Sequence, residues 1–361
     1  MTRRRIILLL IPHLGGGGAE RVAALLACGF NRARYDVHVG LVTQDGTSEH
    51  GLPPWVTVHR LGAKRVRRAG LAVLRLMWIL RPDVVLSGMA HLNKMVLSLR
   101  PLFPRNTRVL VRQNGQVSAD AGPGSWKLYP RADAIICQTM AMATELTAVA
   151  GSDRTMRVLP NPVDVDGIRL LARQAVSQWG GPGPHILAVG RLAGEKGFDL
   201  LLQAFASLRT KFPQADLTIL GEGRERPALE MLAWVLGVGS SVRMPGHVAY
   251  PAEWYPEATV FVLSSRHEGL PNALLEAAAG GLPIVATRAS AGLMSLIEGQ
   301  PGVWVARETS AAGIAEALHE AIQMAKIHPR FAHGWVEPFR LDAALAQYEA
   351  LIEEQFSEAT R

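Results

Sequence analysis

Cysteine is scarce in this sequence, with two residues among 361. So few cysteines exclude a disulfide framework and a cysteine-rich zinc site, and they favour a reducing compartment. Long apolar runs are missing as well, because no uninterrupted stretch reaches the roughly 18 residues of a membrane-spanning helix. Hydrophobic residues still make up 48% of the chain and charged residues 19%, which excludes a disordered chain. At roughly 150 residues per domain, the length predicts two domains.

Aromatic residues are also few, at 6%, and no nucleic-acid reading motif accompanies the basic residues. Basic residues themselves are unevenly distributed. Residues 1–165 contain 22 Lys and Arg against 10 Asp and Glu, whereas residues 166–361 contain 16 against 21. This asymmetry predicts an anionic partner for the first half, and a membrane surface or a phosphorylated substrate is favoured over nucleic acid.

The N-terminus combines three arginines, at positions 3–5, with an apolar run at 6–11, as a secretory signal peptide does. The run is shorter than the roughly 7–15 residues of a signal peptide's apolar region, and no small-residue cleavage site follows it. A buried first strand is therefore the favoured interpretation.

Short apolar runs alternate with helical segments along the whole chain, which predicts an α/β fold with two doubly wound parallel sheets. The strands predicted for the first sheet are residues 6–11, 37–42, 56–61, 84–86, 108–111 and 134–137. Those predicted for the second are 186–189, 217–220, 242–244, 260–263, 284–286 and 303–305. The predicted helices are 19–30, 69–80, 140–149, 198–208, 225–236, 272–279, 311–325 and 341–355.

The domain boundary is marked by two prolines that flank Asn161. It predicts a first domain of residues 1–165 and a second of residues 166–338. The last helix, within residues 339–361, is expected to pack back on the first domain.

Four consecutive glycines, at positions 15–18, follow the first predicted strand and open the first helix. Backbone without Cβ atoms can approach a phosphate or a sugar closely, and a helix N-terminus offers free N–H groups. The alternative is a glycine-rich turn without a ligand. The loop is not a dinucleotide fingerprint, because Glu20 stands where that pattern requires glycine.

Two further segments contain candidate site residues. In the first, Arg191 and Lys196 lie on one strand–helix loop, where two cations could clamp a diphosphate or could form a solvated basic loop. In the second, Glu268 lies on a loop, Pro271 opens a helix and Glu276 follows just over one turn later, so that both carboxylates can face one cleft. The free amides near 270–273 could hold a phosphate, and a carboxylate could accept hydrogen bonds from ribose. The alternative is a helix N-terminus with favourable acidic charge.

Four blocks in a fixed order resemble the retaining glycosyltransferases of family 4, which have the GT-B fold. They are G-G-G-G-A-E-R at 15–21, P-N-P-V-D at 160–164, G-R-L-A-G-E-K-G-F-D-L-L at 190–201 and E-G-L-P-N-A-L-L-E-A at 268–277. The last block contains the E-x7-E pattern as Glu268 and Glu276. The resemblance extends over nearly the whole chain. It implies two Rossmann-like domains facing a central cleft, with a nucleotide-sugar donor bound mainly by the second and the acceptor mainly by the first.

The resemblance also implies roles for individual residues. Arg191 and Lys196 would face the donor diphosphate, Glu276 would bind ribose and Glu268 would lie beside the donor sugar. Gly16 and Gly17 would line the cleft near the reacting phosphate. The remaining donor-binding residues would be Gly190, Gly269, Leu270, Pro271 and Asn272. The implied site needs no metal and no cofactor, so the D-x-D of Asp164 and Asp166 is not expected to bind a metal.

One position departs from the family pattern. Many relatives have a histidine in the loop after the fifth strand of the first domain, whereas this chain has Gln113 and Asn114. Either amide could hydrogen-bond to substrate hydroxyls, but neither can act as a general base. His13 and His91 are the nearby candidates, and each has the alternative of a purely structural role.

A basic cluster at residues 64–68 precedes the apolar helix 69–80. One interpretation is a membrane-surface element, because clustered cations attract anionic lipid and Trp78 could anchor at the interface. The favoured interpretation is a helix that covers the sheet, with the basic loop itself as a membrane contact.

The family resemblance, together with the basic first half and the scarce cysteine, predicts a cytoplasmic glycosyltransferase that works at the membrane. It would move a sugar, with retention, from a UDP- or GDP-linked donor to a hydroxyl of a lipid-linked or cell-surface polysaccharide precursor. The alternatives are a catalytically silent nucleotide-sugar-binding subunit of a polysaccharide assembly complex and a nucleotide-sugar epimerase.

Overall fold

The computed structural model describes residues 3–15, 17–43, 52–115, 125–150 and 156–357. The chain forms two compact units. The first unit comprises Met1–Pro162 and Leu341–Arg361, and the second comprises Val163–Arg340. The second unit is thus a single continuous segment inserted into the first. Its two ends are neighbours, because Val163 N–H donates a hydrogen bond to the carbonyl of Phe339 at 2.8 Å and Val163 forms a parallel β-bridge with Arg340.

A parallel sheet of seven strands forms the centre of the first unit, in the order β3-β2-β1-β4-β5-β6-β7. Its strands are β1 (Arg5–Ile11), β2 (Tyr35–Thr43), β3 (Thr57–Ala63), β4 (Val84–Ser87), β5 (Arg108–Arg112), β6 (Ala134–Cys137) and β7 (Met156–Val158). Its helices are α1 (Gly18–Gly29), α2 (Gly70–Leu80), α3 (Ala90–Leu99), α4 (Met140–Ala150) and α11 (Leu341–Ser357).

The first strand shows why the apolar runs of this sequence are continuous rather than alternating. Ile7 and Leu9 belong to one core cluster and Leu8 and Leu10 to another, so that successive side chains of β1 enter opposite layers. A sheet covered by helices on both faces needs apolar residues at every position. The signal-peptide-like run is therefore a buried inner strand of the first unit.

The last helix completes the first unit. Tyr348 and Leu351 of α11 lie in the same core cluster as Leu26 of α1 and Ile7 of β1. On its partly exposed side, the carboxylate of Glu353 accepts a hydrogen bond from the hydroxyl of Tyr35 at 2.8 Å. The helix therefore packs on the unit from which the chain departed at residue 162.

The second unit contains a parallel sheet of six strands in the order β10-β9-β8-β11-β12-β13. Its strands are β8 (His185–Val189), β9 (Asp216–Leu220), β10 (Val242–Gly246), β11 (Val260–Leu263), β12 (Ile284–Ala286) and β13 (Val303–Val305). Its helices are α5 (Val165–Gln174), α6 (Phe198–Arg209), α7 (Arg226–Val235), α8 (Asn272–Ala279), α9 (Ala291–Ile297) and α10 (Ala311–Ala325).

The predicted fold class, an α/β fold with two doubly wound parallel sheets, is confirmed. Four elements were not predicted: β7, α3, α5 and α9. The strand β7 has Arg157 at its centre and therefore forms no apolar run, and α9 has only seven residues, which is too short for a periodic pattern to stand out. Polar residues interrupt α3, and α5 buries only Val165 and Ile168.

The helix α2 has two different apolar faces. Val73, Leu76 and Met77 are buried in the core, whereas the opposite face exposes Leu71 and Trp78 to solvent. The expectation that this helix covers the sheet therefore describes only one of its sides. Within the described ranges, no helix is both long and apolar enough to cross a membrane.

Candidate functional site

The strand order of the second sheet marks a ligand site. Chain order runs outward from β8 through β9 to β10, and from β11 through β12 to β13, so the winding direction reverses between the neighbours β8 and β11. In open α/β sheets, ligands bind outside the carboxyl ends of the strands at such a reversal. The two loops that leave this point are residues 190–197 and 264–271. They contain most of the donor-site residues predicted from the sequence.

Lys196 and Glu268 are brought together at this reversal. The Nζ atom of Lys196 donates to Oε1 of Glu268 at 2.5 Å, and the hydroxyl of Ser265 donates to the same oxygen at 2.6 Å. Both charged side chains are largely buried, with 22% and 10% of their surfaces exposed. Because little water screens this pair, the two charges interact more strongly than an exposed pair would.

Further contacts hold the two loops against each other. The Ser264 hydroxyl donates to the carbonyl of Lys196 at 2.8 Å, and the Arg266 N–H donates to the carbonyl of Glu195, also at 2.8 Å. The guanidinium of Arg266 forms a two-pronged ion pair with Asp199, with distances of 2.7 and 2.6 Å. Hydrogen bonds from Arg266 lower the pKa of the Asp199 carboxyl below its usual range. The loops thus form one rigid platform.

Gly197 makes this close approach possible. Its φ of +62° is in the left-handed region, and a Cβ atom at this position would lie 2.2 Å from the carbonyl oxygen of Ser264. Any other residue would force the two loops apart. The glycine that follows Lys196 in the sequence block therefore has a packing role.

Arg191 is placed differently from Lys196. Its side chain is 71% exposed, and it donates to Oε1 of Glu195 on the same loop at 2.7 Å. Burial raises the pKa of Glu195, but its own backbone hydrogen bond and the Arg191 guanidinium outweigh burial and lower it overall. The structure thus places Arg191 on the loop of Lys196 but in solvent, where it can reorient toward an anion. Gly190 precedes it and joins the loop to β8.

The helix α8 presents its N-terminus beside the same loops. Pro271 is the residue just before the helix, which begins at Asn272, and Leu270 and Leu274 hold it in the core. The positive end of the helix dipole lies at this terminus and favours an anion. Glu276 lies one turn further on, with 7% of its surface exposed. Gly269 connects this helix to Glu268.

The first sheet has the same kind of reversal, between β1 and β4. The loop that leaves β1 contains His13 and Gly17. The Nδ1 atom of His13 accepts a hydrogen bond from Gly15 N–H at 3.0 Å, which assigns the proton of the neutral ring to Nε2. Gly17 is the residue just before α1. Gly16, predicted to line the site, lies outside the described residues.

Glu20 is a buried acid that the analysis of single motifs missed. It lies in the first turn of α1 with 8% of its side chain exposed, and its Oε1 lies 3.9 Å from Nδ1 of His13. A Cβ atom on Gly17 would lie 2.3 Å from its Oε2, so the glycine leaves room for this carboxylate. Its position as the third residue of the helix was the available signal, since acids in the first turn complement the helix dipole.

The two amides that replace the family histidine differ in accessibility. Gln113 is fully buried, where Oε1 accepts from the Tyr129 hydroxyl at 2.9 Å and Nε2 donates to the Gly115 carbonyl at 3.2 Å. The structure therefore does not present Gln113 to a ligand. Asn114 is half-buried and donates to the carbonyl of Gly88, at the end of β4. Asn114 is thus the one of the two that borders the reversal point.

A buried arginine holds Asn114. Arg112, the last residue of β5, is 3% exposed and donates to the amide oxygens of Asn114 and Asn161. His91, the remaining candidate, is an exposed residue in the first turn of α3, the helix that follows β4. His13 follows β1 and Asn114 follows β5, with the end of β4 between them, and His91 lies on the surface.

Comparisons with known proteins agree with this architecture. The family model for glycosyl transferases group 1 matches residues 183–324, and the model for glycosyltransferase family 4 matches residues 16–166. Together these matches cover most of the chain. The chain belongs to the family 4 glycosyltransferases.

Two relatives show how widely this family resemblance extends. The glycosyltransferase is 29% identical over 274 residues to the lipopolysaccharide core biosynthesis glycosyltransferase LpsE of Rhizobium meliloti, covering 75% of this chain and 78% of LpsE. It is 26% identical over 309 residues to a Campylobacter jejuni enzyme. That enzyme is the N-acetylgalactosamine-N,N'-diacetylbacillosaminyl-diphospho-undecaprenol 4-alpha-N-acetylgalactosaminyltransferase, and the match covers 80% of this chain and 82% of the relative.

A solved structure with a similar fold is Anabaena Alr3699/HepE in complex with UDP and glucose. The TM-score is 0.79 at 18% identity, and the match covers 97% of this chain and all of that one. A likeness at this identity is evidence about the fold, and it agrees with the predicted GT-B fold class.

The D-x-D residues of the glycosyltransferase have local structural contacts. Asp164 caps α5 by accepting from Gly167 N–H at 2.9 Å, and Asp166 pairs with Arg340 at 2.6 Å. Across the residues that the structure describes, no group of three or more His, Cys, Asp or Glu side chains has the arrangement of a metal site.

Proposed function

We propose that this glycosyltransferase moves a sugar from a UDP- or GDP-linked donor to a hydroxyl of a lipid-linked or cell-surface polysaccharide precursor, with retention of the anomeric configuration. The transfer needs no divalent metal and no cofactor. The donor binds mainly to the second unit, and the acceptor binds mainly to the first.

The observation that carries this proposal is the Lys196–Glu268 pair at the reversal point of the second sheet. An ammonium group, a carboxylate and the N-terminal end of α8 lie on this one platform. A nucleoside diphosphate requires cations and N–H donors for its phosphates, and a sugar requires a carboxylate for its hydroxyls. In this proposal Glu276 accepts hydrogen bonds from the ribose, and Lys196 and Arg191 stabilise the charge that develops on the leaving diphosphate.

The proposed reaction step uses no enzymic base at the position where relatives have a histidine. Gln113 and Asn114 stand where relatives have a histidine, and an amide does not accept a proton at neutral pH. The bond between the anomeric carbon and the diphosphate oxygen breaks, and the acceptor oxygen bonds to that carbon on the same face. The leaving diphosphate oxygen takes the acceptor proton. Charge and protons then balance without an enzymic base.

A membrane location is supported by the surface of the first unit. The basic loop, defined as Lys64, Arg65, Arg67 and Arg68, forms no ion pair with any residue in the described part of the chain. Beside it, α2 exposes an apolar face, defined as Leu71, Trp78 and Ile79, with 84%, 52% and 70% exposed. Cations next to exposed apolar side chains suit an anionic bilayer surface. We place the protein at the cytoplasmic face, where nucleotide sugars and anionic lipid meet.

The proposal is tested first by donor binding. A thermal-shift panel of UDP-, GDP- and ADP-sugars is expected to identify one that stabilises the protein, by about 2.7 kcal/mol at 100 times its Kd. Lys196→Gln is expected to reduce this stabilisation, whereas Arg307→Gln, which also removes one positive charge but from an exposed side chain, is expected to preserve it. Stabilisation by none of the donors contradicts the proposal.

The second stage is to assay the stabilising donor with lipid-linked acceptors and to determine the anomeric configuration of the product by NMR. An acceptor-dependent α-linked product from an α-donor is expected. An inverted product contradicts retention, and conversion of the donor without an acceptor to a stereoisomer indicates an epimerase. Binding with neither transfer nor slow donor hydrolysis indicates the catalytically silent subunit.

A further inference from the structure

A second polar cavity lies in the same unit, away from the loops of the reversal point. Its volume is about 220 Å³, and its walls contain three arginines, Arg169, Arg173 and Arg330. The other lining residues are Ala172, Tyr255, Pro256 and Gly280. No acidic residue lines it. The cavity therefore contrasts with its surroundings, because acidic residues outnumber basic residues in the second half of the chain.

The charges of these arginines are not neutralised by protein groups. None of the three forms an ion pair with a carboxylate among the residues that the structure describes. Arg169 and Arg173 are also four residues apart on α5, on the same helix face, where like charges repel each other. Convergent cations without a counter-charge repel each other, and an anion bound among them would relieve this repulsion.

Existing contacts account for some of the guanidinium donors but not for all of them. Arg169 uses Nε to donate to the carbonyl of Ala279 at 3.3 Å, at the C-terminus of α8. Arg330 donates to the carbonyls of Tyr255 at 2.7 Å and Ala258 at 3.2 Å, and burial lowers its pKa. Arg173 is exposed and makes no hydrogen bond to another described residue. Hydrogen bonds to backbone carbonyls therefore account for the guanidinium of Arg330 and for one nitrogen of Arg169. They do not account for the guanidinium of Arg173.

We propose that this cavity binds a small polyvalent oxyanion, either inorganic phosphate or diphosphate or the phosphate group of a small organic ligand. The fork of N–H groups on Arg169 and Arg173 would bind the phosphoryl oxygens, since guanidinium matches them in two-pronged geometry. Arg330, held by backbone carbonyls, supplies a fixed third charge. The apolar walls from Ala172 and Pro256 would contact an organic portion.

This anion site is distinct from the proposed donor site. The cavity adjoins Gly280, at the C-terminal end of α8, whereas the donor platform adjoins Asn272, at its N-terminal end. Eight helical residues separate the two ends, which is about 12 Å. The inference does not depend on the identity of the donor sugar, so it can fail or succeed independently of the proposed function.

The test is isothermal titration calorimetry of the full chain with inorganic diphosphate and, separately, with inorganic phosphate. Arg173→Gln is expected to reduce diphosphate affinity at the cavity by roughly tenfold or more, the effect of one lost charge-assisted contact. Arg307→Gln, an exposed arginine of the same unit, is the control for net charge and is expected to change nothing. The Arg173 side chain makes no contact on which folding depends, and circular dichroism checks that the variant is folded.

A further variant separates the two sites. Lys196→Gln is expected to remove diphosphate binding at the donor platform and to leave the Arg173-dependent binding intact. The inference is overturned if diphosphate binding disappears in Lys196→Gln but persists unchanged in Arg173→Gln. It is also overturned if no Arg173-dependent binding is found at millimolar diphosphate. If inorganic phosphate binds with the same affinity as diphosphate, a single phosphoryl group is sufficient for recognition.

Discussion

Arg112 Nε donates a hydrogen bond of 3.1 Å to the hydroxyl of Tyr348, which lies 236 residues further along the chain. The pair joins the end of β5 to α11, and the other guanidinium nitrogens donate to Asn114 and Asn161. A buried cation is thus solvated by three neutral oxygens within the first unit. These oxygens come from the loop after β5, from the segment where the chain leaves the unit and from the helix where it returns.

Replacing Arg112 by Met is expected to destabilise the first unit by roughly 3 kcal/mol, because three buried acceptors lose their donor at once. Tyr348→Phe removes only one of these contacts and is expected to cost about 1 kcal/mol. Urea unfolding followed by circular dichroism measures both. A smaller loss in Arg112→Met than in Tyr348→Phe contradicts a network centred on the guanidinium.

The Lys196–Glu268 pair leads to opposite predictions for its two members. Lys196→Gln is expected to weaken binding of the free nucleoside diphosphate by roughly tenfold or more, since a charge-assisted contact is lost. Glu268→Gln releases the ammonium from its carboxylate and is expected to preserve or tighten this binding while transfer falls. Calorimetry and a transfer assay test both variants. Equal weakening in the two variants contradicts the assignment of Lys196 to the phosphates.

Glu276→Ala is expected to weaken donor binding by roughly 10- to 150-fold, the range for a lost hydrogen bond to a charged group. The effect comes from the ribose hydroxyls, so a 2′,3′-dideoxynucleoside diphosphate provides a matched control. This ligand is expected to bind the wild type and Glu276→Ala equally well. Unchanged affinity of Glu276→Ala for the ordinary nucleoside diphosphate rejects the ribose role.

Chelation is expected to leave transfer activity intact, because Lys196, Arg191 and helix N–H groups supply the positive charge that the diphosphate needs. The protein is incubated with EDTA, passed over a desalting column and assayed. If activity disappears and returns with Mg²⁺ or Mn²⁺, then Asp164 and Asp166 become the first ligand candidates despite their local contacts.

Replacing the four cations of the basic loop by Ser is expected to reduce binding to anionic liposomes, because each cation contributes about 1 kcal/mol near such a surface. Binding of the wild type should weaken as salt rises, since charges are screened beyond about 8 Å at physiological ionic strength. Co-sedimentation with liposomes of varied anionic content is the measurement.

Trp78→Ser and Ile79→Ser test whether the apolar face of α2 enters the bilayer or whether the basic loop is only attracted to its surface. Both side chains are exposed on α2, so the fold should tolerate the changes. A loss of binding that persists at high salt indicates that the apolar face enters the bilayer. Equal binding of the wild type to neutral and anionic liposomes rejects docking through the basic loop.

Strand–helix alternation was sufficient to predict the architecture of this chain. The runs at 134–137, 260–263, 284–286 and 303–305 coincide with the observed strands. The reason is physical: a sheet buried on both faces accepts only apolar side chains, so its strands stand out against polar loops. Elements such as β7 and α5 contain polar residues among their apolar ones, so they do not stand out against the loops and were not predicted.

The contacts within the candidate site were less accessible to sequence reasoning. Lys196 and Glu268 are 72 residues apart, and only the order of the strands brings their loops together. The burial of Gln113 likewise depends on Tyr129, which lies on a different segment. The convergence of Arg173 with Arg330 has no sequence signal at all, because each arginine alone resembles a solvated surface residue.

The paired ends of the second unit have a consequence for how such proteins can be recombined. Val163 and Arg340 are bridged, so the whole segment enters and leaves at one place. A segment with adjacent ends can be exchanged as one cassette between related chains through two neighbouring junctions. Grafting another family member's residues between these junctions would replace one entire sheet and its loops in a single step, while every strand of the first sheet kept its own sequence.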